Sequence, residues 1–437
     1  MTRKGFLAAL GLLSGAGVCR GAVAGRRRLQ KETAWEGWTK GHFQVHFIYT
    51  GCGEQMFLIF PDGTTMLLDC GDSAAMTRGD LAVPILPREP FRLGGDWVAR
   101  YVARVNPNGK EIDYLMLTHW HGDHGGSRAW QTVERSRKVN WWSVPYWRSG
   151  FGIVIEDFKI ARLIDRGYPD YDDPLPQKVP GDVQEHWRRL AQHVVRRDRA
   201  RIEKFRLGAT DQIVPLRGEA ADFSVFNICG NGRLARPDGT TVDCYAERLA
   251  ETPKPTYLNE NGMSLGMVFT YGKFRFFAAG DFSDRWKRAD GTRVDIEERL
   301  AEVVPPCHVA KLNHHGHHSM PAALVKALRS RVWVSCVWDV LHSVAPVMAR
   351  LSDRTLYAGE RLICPGVFPA RRLKEDVGAA WLKDVAPASF DGGHVVLDVE
   401  PGGERYTVSY LRASDESMAV VERYAFETQD GGAPRPR

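Results

Sequence analysis

Residues 118–126 read Thr-His-Trp-His-Gly-Asp-His-Gly-Gly, and this stretch decides the fold and the chemistry expected of the chain. It places three imidazoles and one carboxylate close together, directly after the apolar segment 112–117, which is typical of a β-strand. Neutral imidazole nitrogens and carboxylate oxygens are ligands that divalent ions such as Zn²⁺ prefer. The stretch therefore predicts a metal site at the end of a strand.

The spacing within the stretch divides its side chains into two sets. His119 and His121 are two residues apart, so on extended backbone they point to the same side and can bind one ion. Asp123 and His124 follow Gly122, which allows a tight turn, and we expect them to face a second ion. The pattern thus predicts two neighbouring divalent ions, with zinc expected and manganese as the alternative.

The rest of the sequence alternates short apolar segments with turns and amphipathic segments, which favours an α/β (α+β) fold. Strands are predicted at 42–49, 55–60, 64–68, 112–117, 264–270, 274–279, 308–312, 332–337, 394–399 and 406–411, and helices at 97–105, 184–205 and 321–328. Several predicted strands end in a residue that can bind a metal: Asp69 follows strand 64–68, Asp281 follows strand 274–279, and His314-His315-Gly316 follows strand 308–312. Such residues gather where strand ends share one rim of a sheet.

With these positions the chain resembles the metallo-β-lactamase superfamily, whose signature is His-x-His-x-Asp-His. The turn Pro61-Asp62-Gly63, the segment 261–265 and the His-His-Gly motif are similar to the hydrolase domain of the DNA-uptake channel protein ComEC and its relatives. Two departures are Gly51-Cys52-Gly53-Glu54, where those domains read Gly-Gln-Gly-Asp, and His317-His318-Ser319, where they place a serine at once. The resemblance implies an αββα four-layer sandwich with metals at one edge, here with an inserted, mainly helical elaboration.

The resemblance also implies a role for each site residue. The implied metal ligands are His119, His121, Asp123, His124, Asp281 and His314. Asp281 is implied to bridge two ions, and Asp69 to orient the metal loop, residues 118–126. Two bridged ions lower the pKa of a bound water to about 7 and so supply hydroxide without a Ser or Cys nucleophile.

The catalytic candidates are Asp123, His315 and His342. Asp123 is expected to be both a ligand and the group that orients the attacking water. We expect His314 to bind metal because it is the first histidine after its strand, and His315 to contact substrate or leaving group. His342 follows strand 332–337 and either reaches the site or is an ordinary surface histidine.

Two further histidines, His186 and His193, are the only ones between residues 124 and 281, and we expect both on the surface. The ion bound by His119 and His121 then has few protein ligands and is the more weakly held.

The function predicted from these residues is that of an exported dinuclear hydrolase acting on a phosphodiester with a metal-bound hydroxide. Alternatives are a hydrolase of a carboxylic ester or lactam, a catalytically silent metal-binding or surface-binding protein, and a nucleic-acid-binding nuclease. The last depends on the predicted helix 184–205 and its flank, whose basic residues are Arg188, Arg189, Arg196, Arg197, Arg199, Arg201, Lys204 and Arg206. Acidic residues are interleaved with them, which favours a solvated face over a nucleic-acid partner.

Composition and the N-terminus set the class and the location of the protein. With 43% hydrophobic and 26% charged residues and a net charge of +6, the chain is neither disordered, collagen-like nor a polytopic membrane protein.

The N-terminus predicts an export signal, because a basic start is followed by a 13-residue apolar run at 6–18 and by Ala22-Val23-Ala24. The apolar run is too short for a membrane span. We expect a periplasmic or secreted protein with a signal at 1–24, a linker at 25–41, a hydrolase domain at 42–411 (insert-rich at 130–260) and an extension at 412–437 with a disordered tail.

Overall fold

The computed structural model describes residues 26–27, 32–73, 83–88, 93–127, 144–174, 183–251 and 253–428. The predicted export signal, residues 25 and 28–31 of the predicted linker, the first part of the interval 130–260 and the predicted disordered tail lie outside the described residues. The strands are β1 (Arg26–Arg27), β2 (Thr33–Ala34), β3 (Phe43–Phe47), β4 (Gln55–Ile59), β5 (Thr65–Cys70), β6 (Glu111–Met116), β7 (Lys159–Asp165), β8 (Arg201–Lys204), β9 (Phe223–Gly230), β10 (Arg233–Ala235), β11 (Thr241–Asp243), β12 (Gly266–Tyr271), β13 (Phe274–Ala279), β14 (Arg285–Lys287), β15 (Arg293–Asp295), β16 (Val309–Lys311), β17 (Val332–Ser335), β18 (Leu362–Pro365), β19 (Gly393–Val399), β20 (Arg405–Arg412) and β21 (Ala419–Glu427).

Within the described residues, these strands form two large mixed sheets and one small ribbon. The first sheet has the order β1-β21-β20-β19-β3-β4-β5-β6-β7-β8, with β2 paired to β21. The second has the order β11-β10-β9-β12-β13-β16-β17-β18, and β14 pairs with β15 alone. In each large sheet four neighbouring strands run parallel, β5 to β8 in the first and β13, β16, β17 and β18 in the second.

Helices cover the outer face of each sheet. The α-helices are α1 (Gly94–Val105), α2 (Gly122–Gly125), α3 (Phe151–Asp157), α4 (Val183–Asp198), α5 (Ala246–Leu249), α6 (Ile296–Leu300), α7 (Ala322–Leu328), α8 (Ala345–Ser352) and α9 (Ala370–Glu375). Short 3₁₀ turns lie at Asn261–Met263, Asn313–Gly316, Ala380–Asp384, Pro387–Phe390 and Pro401–Gly403.

Alternation along the strands builds three buried layers of side chains. In β4, Met56 and Leu58 point into the core between the two sheets, whereas Phe57 points outward and packs with α1, α3 and α4. The outer face of the second sheet packs in the same way against α6, α7 and α8. The order helices, sheet, sheet, helices is the four-layer αββα sandwich that the sequence predicts, and that fold class is confirmed.

Each of the ten predicted strands overlaps an observed one, but the predicted helix 184–205 is too long. Helix α4 ends at Asp198, because Arg199 adopts a left-handed conformation (φ 60°) and the next residues form β8 at the edge of the first sheet. The described part of the interval 130–260 is also less helical than predicted: it contributes β7 and β8 to the first sheet and β9 to β11 to the second.

Candidate metal centre

The candidate site lies where the parallel strands of both sheets end. The segment that follows β6 carries His119, and the segments that follow β13 and β16 carry Asp281 and His315. A backbone hydrogen bond from Leu265 N to Thr118 O (3.1 Å) joins the two sheets at this edge. The carboxyl ends of parallel strands in both sheets therefore deliver their polar side chains to one place.

The first set of side chains is formed by His119 and His121. His119 Nε2 and His121 Nδ1 lie 3.0 Å apart, and His119 Nε2 lies 3.8 Å from Asp281 Oδ2. Together these three residues present ligand atoms that all lie within 4.8 Å of one another.

The second set is formed by His124 and His315 with two carboxylates. His124 Nε2 lies 3.2 Å from Asp281 Oδ1 and 3.7 Å from Asp123 Oδ2. His315 Nε2 lies 3.0 Å from Asp123 Oδ2 and 3.5 Å from Asp281 Oδ1. Asp281 therefore faces the first set with one carboxylate oxygen and the second set with the other.

The second set fits a divalent ion because two of its buried polar atoms lack hydrogen-bond partners among the described residues. His124 Nε2 and Asp281 Oδ1 are buried and have no hydrogen-bond partner among the described residues, although they lie 3.2 Å apart. Leaving polar atoms buried and unpaired is costly, and a cation between them removes that cost. Four ligand atoms at about 2.0–2.1 Å from a tetrahedral ion are about 3.3 Å from one another, close to the separations observed here.

Asp69 holds His124 from the side opposite the ligand cluster. Its Oδ2 lies 2.7 Å from His124 Nδ1 and also accepts a hydrogen bond from Thr118 Oγ1 at 2.8 Å, while its Oδ1 accepts from Thr118 N at 2.8 Å. Asp69 is fully buried and has a positive φ of 57°. The carboxylate thus contacts both the ring of His124 and Thr118 at the start of the metal loop.

The charged groups of the site change one another's pKa values. Burial by itself lowers the pKa of His124 and of His315, but Asp281 and the other carboxylates raise both well above the ordinary value. Burial likewise raises the pKa of Asp281, yet His315 and His124 bring it well below its usual range. A metal ion must displace protons from these imidazoles, so metal affinity falls as the pH falls.

The structure places His315, and not His314, in the buried candidate metal group. Both have left-handed backbone, with φ of 47° and 53°, and this turn directs His315 inward, where it is 1% exposed. His314 lies at the rim: its Nε2 is 3.3 Å from Asn261 Nδ2 and 4.0 Å from Asp281 Oδ2, and its Nδ1 is 3.3 Å from Ser283 Oγ. The buried ligand position therefore belongs to His315, and the rim position belongs to His314.

His342 lies beside His315 and not opposite the carboxylates. Its ring stacks on that of His315 with centroids 4.9 Å apart and an angle of 19°, and the Trp338 ring packs edge-on against it at 5.1 Å. It is a buried residue of the site wall, and so the alternative of an ordinary surface histidine is wrong.

The two intervening histidines belong to neither set. His186 was expected on the surface but is 3% exposed, because its ring stacks on Trp147 (centroids 4.6 Å apart) and its Nδ1 accepts a hydrogen bond from Trp147 N. His193 is half-buried and packs against Tyr146. Neither is part of a candidate metal group among the described residues.

Several residues of the site were not found from the sequence. Glu54 belongs to the same buried group as His124, Asp281 and His315, and it pairs with Lys311. The one sequence signal for Glu54 is its place in the Gly51-Cys52-Gly53-Glu54 turn, and its partner lies far along the chain.

Comparison with known proteins finds a family match for part of the chain. Residues 49–194 match the model of the metallo-beta-lactamase superfamily. Over this range the chain is similar to that superfamily. The matched range includes Asp69 and the stretch 118–126, whereas Asp281 and His315 lie beyond it.

No curated protein matches the chain at a significant level. Among solved structures, the chain is similar to Zn(2+)-bound PqqB from Methylobacterium extorquens, at 12% identity, with a TM-score of 0.30, over 71% of this chain and 86% of that one.

Proposed function

We propose that this protein is an exported hydrolase of the metallo-beta-lactamase superfamily that uses two divalent ions to cleave a phosphodiester. One observation carries the proposal: the carboxylate of Asp281 lies between two histidine sets and turns one oxygen toward each. A single shared carboxylate is the arrangement that holds two ions side by side.

The residues that would hold each ion follow from the distances. His119, His121 and Asp281 would hold one ion, and His124, His315 and Asp281 the other, with Asp123 on its open side. When bound, such ions polarise a phosphoryl oxygen and lower the pKa of a water molecule. Because the first set has fewer buried ligands, its ion is expected to dissociate first.

The chain's own residues then position the reactants. The Asp123 side chain is 13% exposed, more than Asp281 at 2%, so it is the carboxylate that meets and orients an incoming water. His314 lies at the rim, with its Nε2 4.0 Å from Asp281 Oδ2, where its imidazole can contact the substrate or leaving group.

The phosphodiester substrate is supported by the donors at the rim and by the likeness to ComEC-like domains. Asn261 Nδ2 and Ser283 Oγ lie beside His314, and His317 packs against His314 with ring centroids 5.4 Å apart. These N–H and O–H groups suit the unbridged oxygens of a phosphate.

A nucleic-acid substrate receives less support from the basic segment around α4. Most of its basic side chains are paired with neighbouring acids: Arg188 and Arg189 with Glu185, Arg197 with Asp198, Arg201 with Glu203, Lys204 with Asp173, and Arg206 with Asp211. Paired charges form a solvated surface more readily than a phosphate-binding track.

Export is proposed from the basic and apolar pattern of residues 1–24. Among the described residues, no helix is both long enough and apolar enough to cross a membrane.

Hydrolysis of bis(p-nitrophenyl) phosphate by the full chain, supplied with zinc or manganese, tests the proposal. We expect turnover that a chelator abolishes and that Asp123→Asn lacks. Asp290→Asn, which removes an exposed carboxylate from the turn between β14 and β15, is the matched control and should retain turnover. A metal-loaded protein without turnover would contradict the phosphodiester and direct attention to carboxylic esters and lactams.

A further inference from the structure

A buried ion pair lies directly behind the ligand cluster. Glu54 Oε1 and Lys311 Nζ are 2.5 Å apart, and both side chains are 0% exposed. Charged side chains are rarely buried this completely unless they are paired, because removal from water is costly. The chain thus keeps two charges in its dry interior beside the residues that would bind metal.

The pair contacts every segment that brings a ligand to the second set. Glu54 N donates a hydrogen bond to Asp123 O (2.8 Å). Lys311 Nζ donates one to Gly280 O (3.2 Å), the residue before Asp281. Glu54 Oε2 lies 3.3 Å from His315 Nδ1.

The contact with His315 is the informative one. Glu54 Oε2 and His315 Nδ1 are both buried, and neither has a hydrogen-bond partner elsewhere in the described part of the chain. The opposite nitrogen, His315 Nε2, faces Asp123 and Asp281. His124 shows the same arrangement, with Asp69 behind its Nδ1 and the acidic cluster before its Nε2.

We propose that Glu54, held in place by Lys311, is a positioning residue that orients His315 for metal binding, an inference that rests on the proposed function. A carboxylate behind a ligand histidine fixes the ring and holds the ring proton on the nitrogen that faces the carboxylate, here Nδ1. The other nitrogen, Nε2, is then free to bind the ion. Lys311 balances the charge of Glu54 and anchors it to the strand that leads to His315.

The experiment measures the affinity of the full chain for Zn²⁺, by competition with a chromophoric chelator after metal removal. The variants are Glu54→Gln and the charge-balanced double variant Glu54→Gln/Lys311→Met. Loss of a carboxylate behind a ligand histidine is expected to weaken metal binding by about 10- to 100-fold. The matched control is Glu156→Gln, which breaks the buried Arg148–Glu156 pair and should lower the melting temperature without changing the Zn²⁺ affinity.

The double variant separates positioning from general stability. Because it leaves no unpaired buried charge, it should recover most of the melting temperature lost by Glu54→Gln. We expect its Zn²⁺ affinity to stay low, since the oriented carboxylate is still missing. Recovery of affinity together with stability would show a purely structural role and overturn the proposal.

Two further results would also overturn it. Wild-type Zn²⁺ affinity in Glu54→Gln would refute the role of Glu54 while leaving the proposed function intact. Loss of one whole ion, with an altered d–d spectrum of the Co²⁺-loaded protein, would show that Glu54 is itself a ligand. If the wild-type chain bound no zinc, the proposed function would fail, and that result differs from each of the others.

Discussion

Glu260 and Arg166 form a buried pair that contacts the metal loop. Glu260 Oε1 accepts hydrogen bonds from Trp120 N (2.9 Å) and Arg166 Nε (2.9 Å), and Oε2 accepts one from Arg166 Nη2 (2.6 Å). The Arg166 and Glu260 side chains are 0% and 2% exposed, and the Arg166 guanidinium lies 3.5 Å from the centre of the Trp120 ring. Because Trp120 stands between the two histidines of the first set, this pair holds that set in place.

Replacing Glu260 by Gln keeps the size and shape of the side chain but removes the negative charge that balances Arg166. Breaking a buried pair by altering one partner costs about 3–5 kcal/mol. The amide retains one acceptor oxygen for Trp120 N, so we expect the lower end of that range, about 3 kcal/mol. At 1.36 kcal/mol per factor of ten, this lowers the folding equilibrium constant on the order of 100-fold.

Urea unfolding of the metal-free full chain measures this loss. Glu416→Gln is the matched control, because Glu416 pairs with Arg100 and Arg104 at the surface, where ion pairs contribute at most about 1 kcal/mol. The double variant Arg166→Met/Glu260→Gln should regain stability relative to Glu260→Gln. A free energy of unfolding for Glu260→Gln within about 1 kcal/mol of wild type would refute the reasoning.

Two other changes test the support of the site. Burial and the neighbouring Asp295 raise the pKa of Glu297 to about 8, so the unfolded chain loses this proton at lower pH than the folded chain does, and stability falls as the pH rises from about 4.5 to about 8. Glu297→Gln should therefore gain stability relative to wild type as the pH rises through that window, by an amount on the order of 3–5 kcal/mol at its upper end. Melting curves of both proteins at pH 4 and pH 8 measure this gain. The same difference between variant and wild type at both pH values would contradict it. A Cβ on Gly71 would meet Asp123 O at 1.7 Å, so Gly71→Ala should displace the metal loop and weaken zinc binding, whereas at Gly218 the nearest atom is 3.8 Å away. Equal zinc affinities of Gly71→Ala and Gly218→Ala in a chelator competition would exclude this role.

The sequence predicts the site best where the functional residues lie within one short, regular stretch. Residues 118–126 and the strand that precedes them predict both the strand end and the side chains gathered there, because period-two alternation and a Gly-containing turn act over a few residues. The αββα layers are predicted through the family resemblance, because the local pattern indicates strands and helices but not the order of the layers.

The remainder depends on contacts between distant residues. Glu54 and Lys311 are 257 positions apart, so nothing local indicates that the two charges are buried together. The choice between His314 and His315 depends on left-handed backbone at both residues, which is uncommon outside glycine and which nothing in the sequence indicates here. His186 lies on a basic helix and looks exposed, yet the stacking of Trp147 buries it.

Zinc content of the full chain at equilibrium with free zinc tests the central claim most directly, because the claim is that Asp281 is shared by two ion sites. We predict two zinc ions per wild-type chain and loss of tight binding at both sites in Asp281→Asn. A wild-type chain that holds one ion or none, or an Asp281→Asn chain that still holds two, would contradict the account.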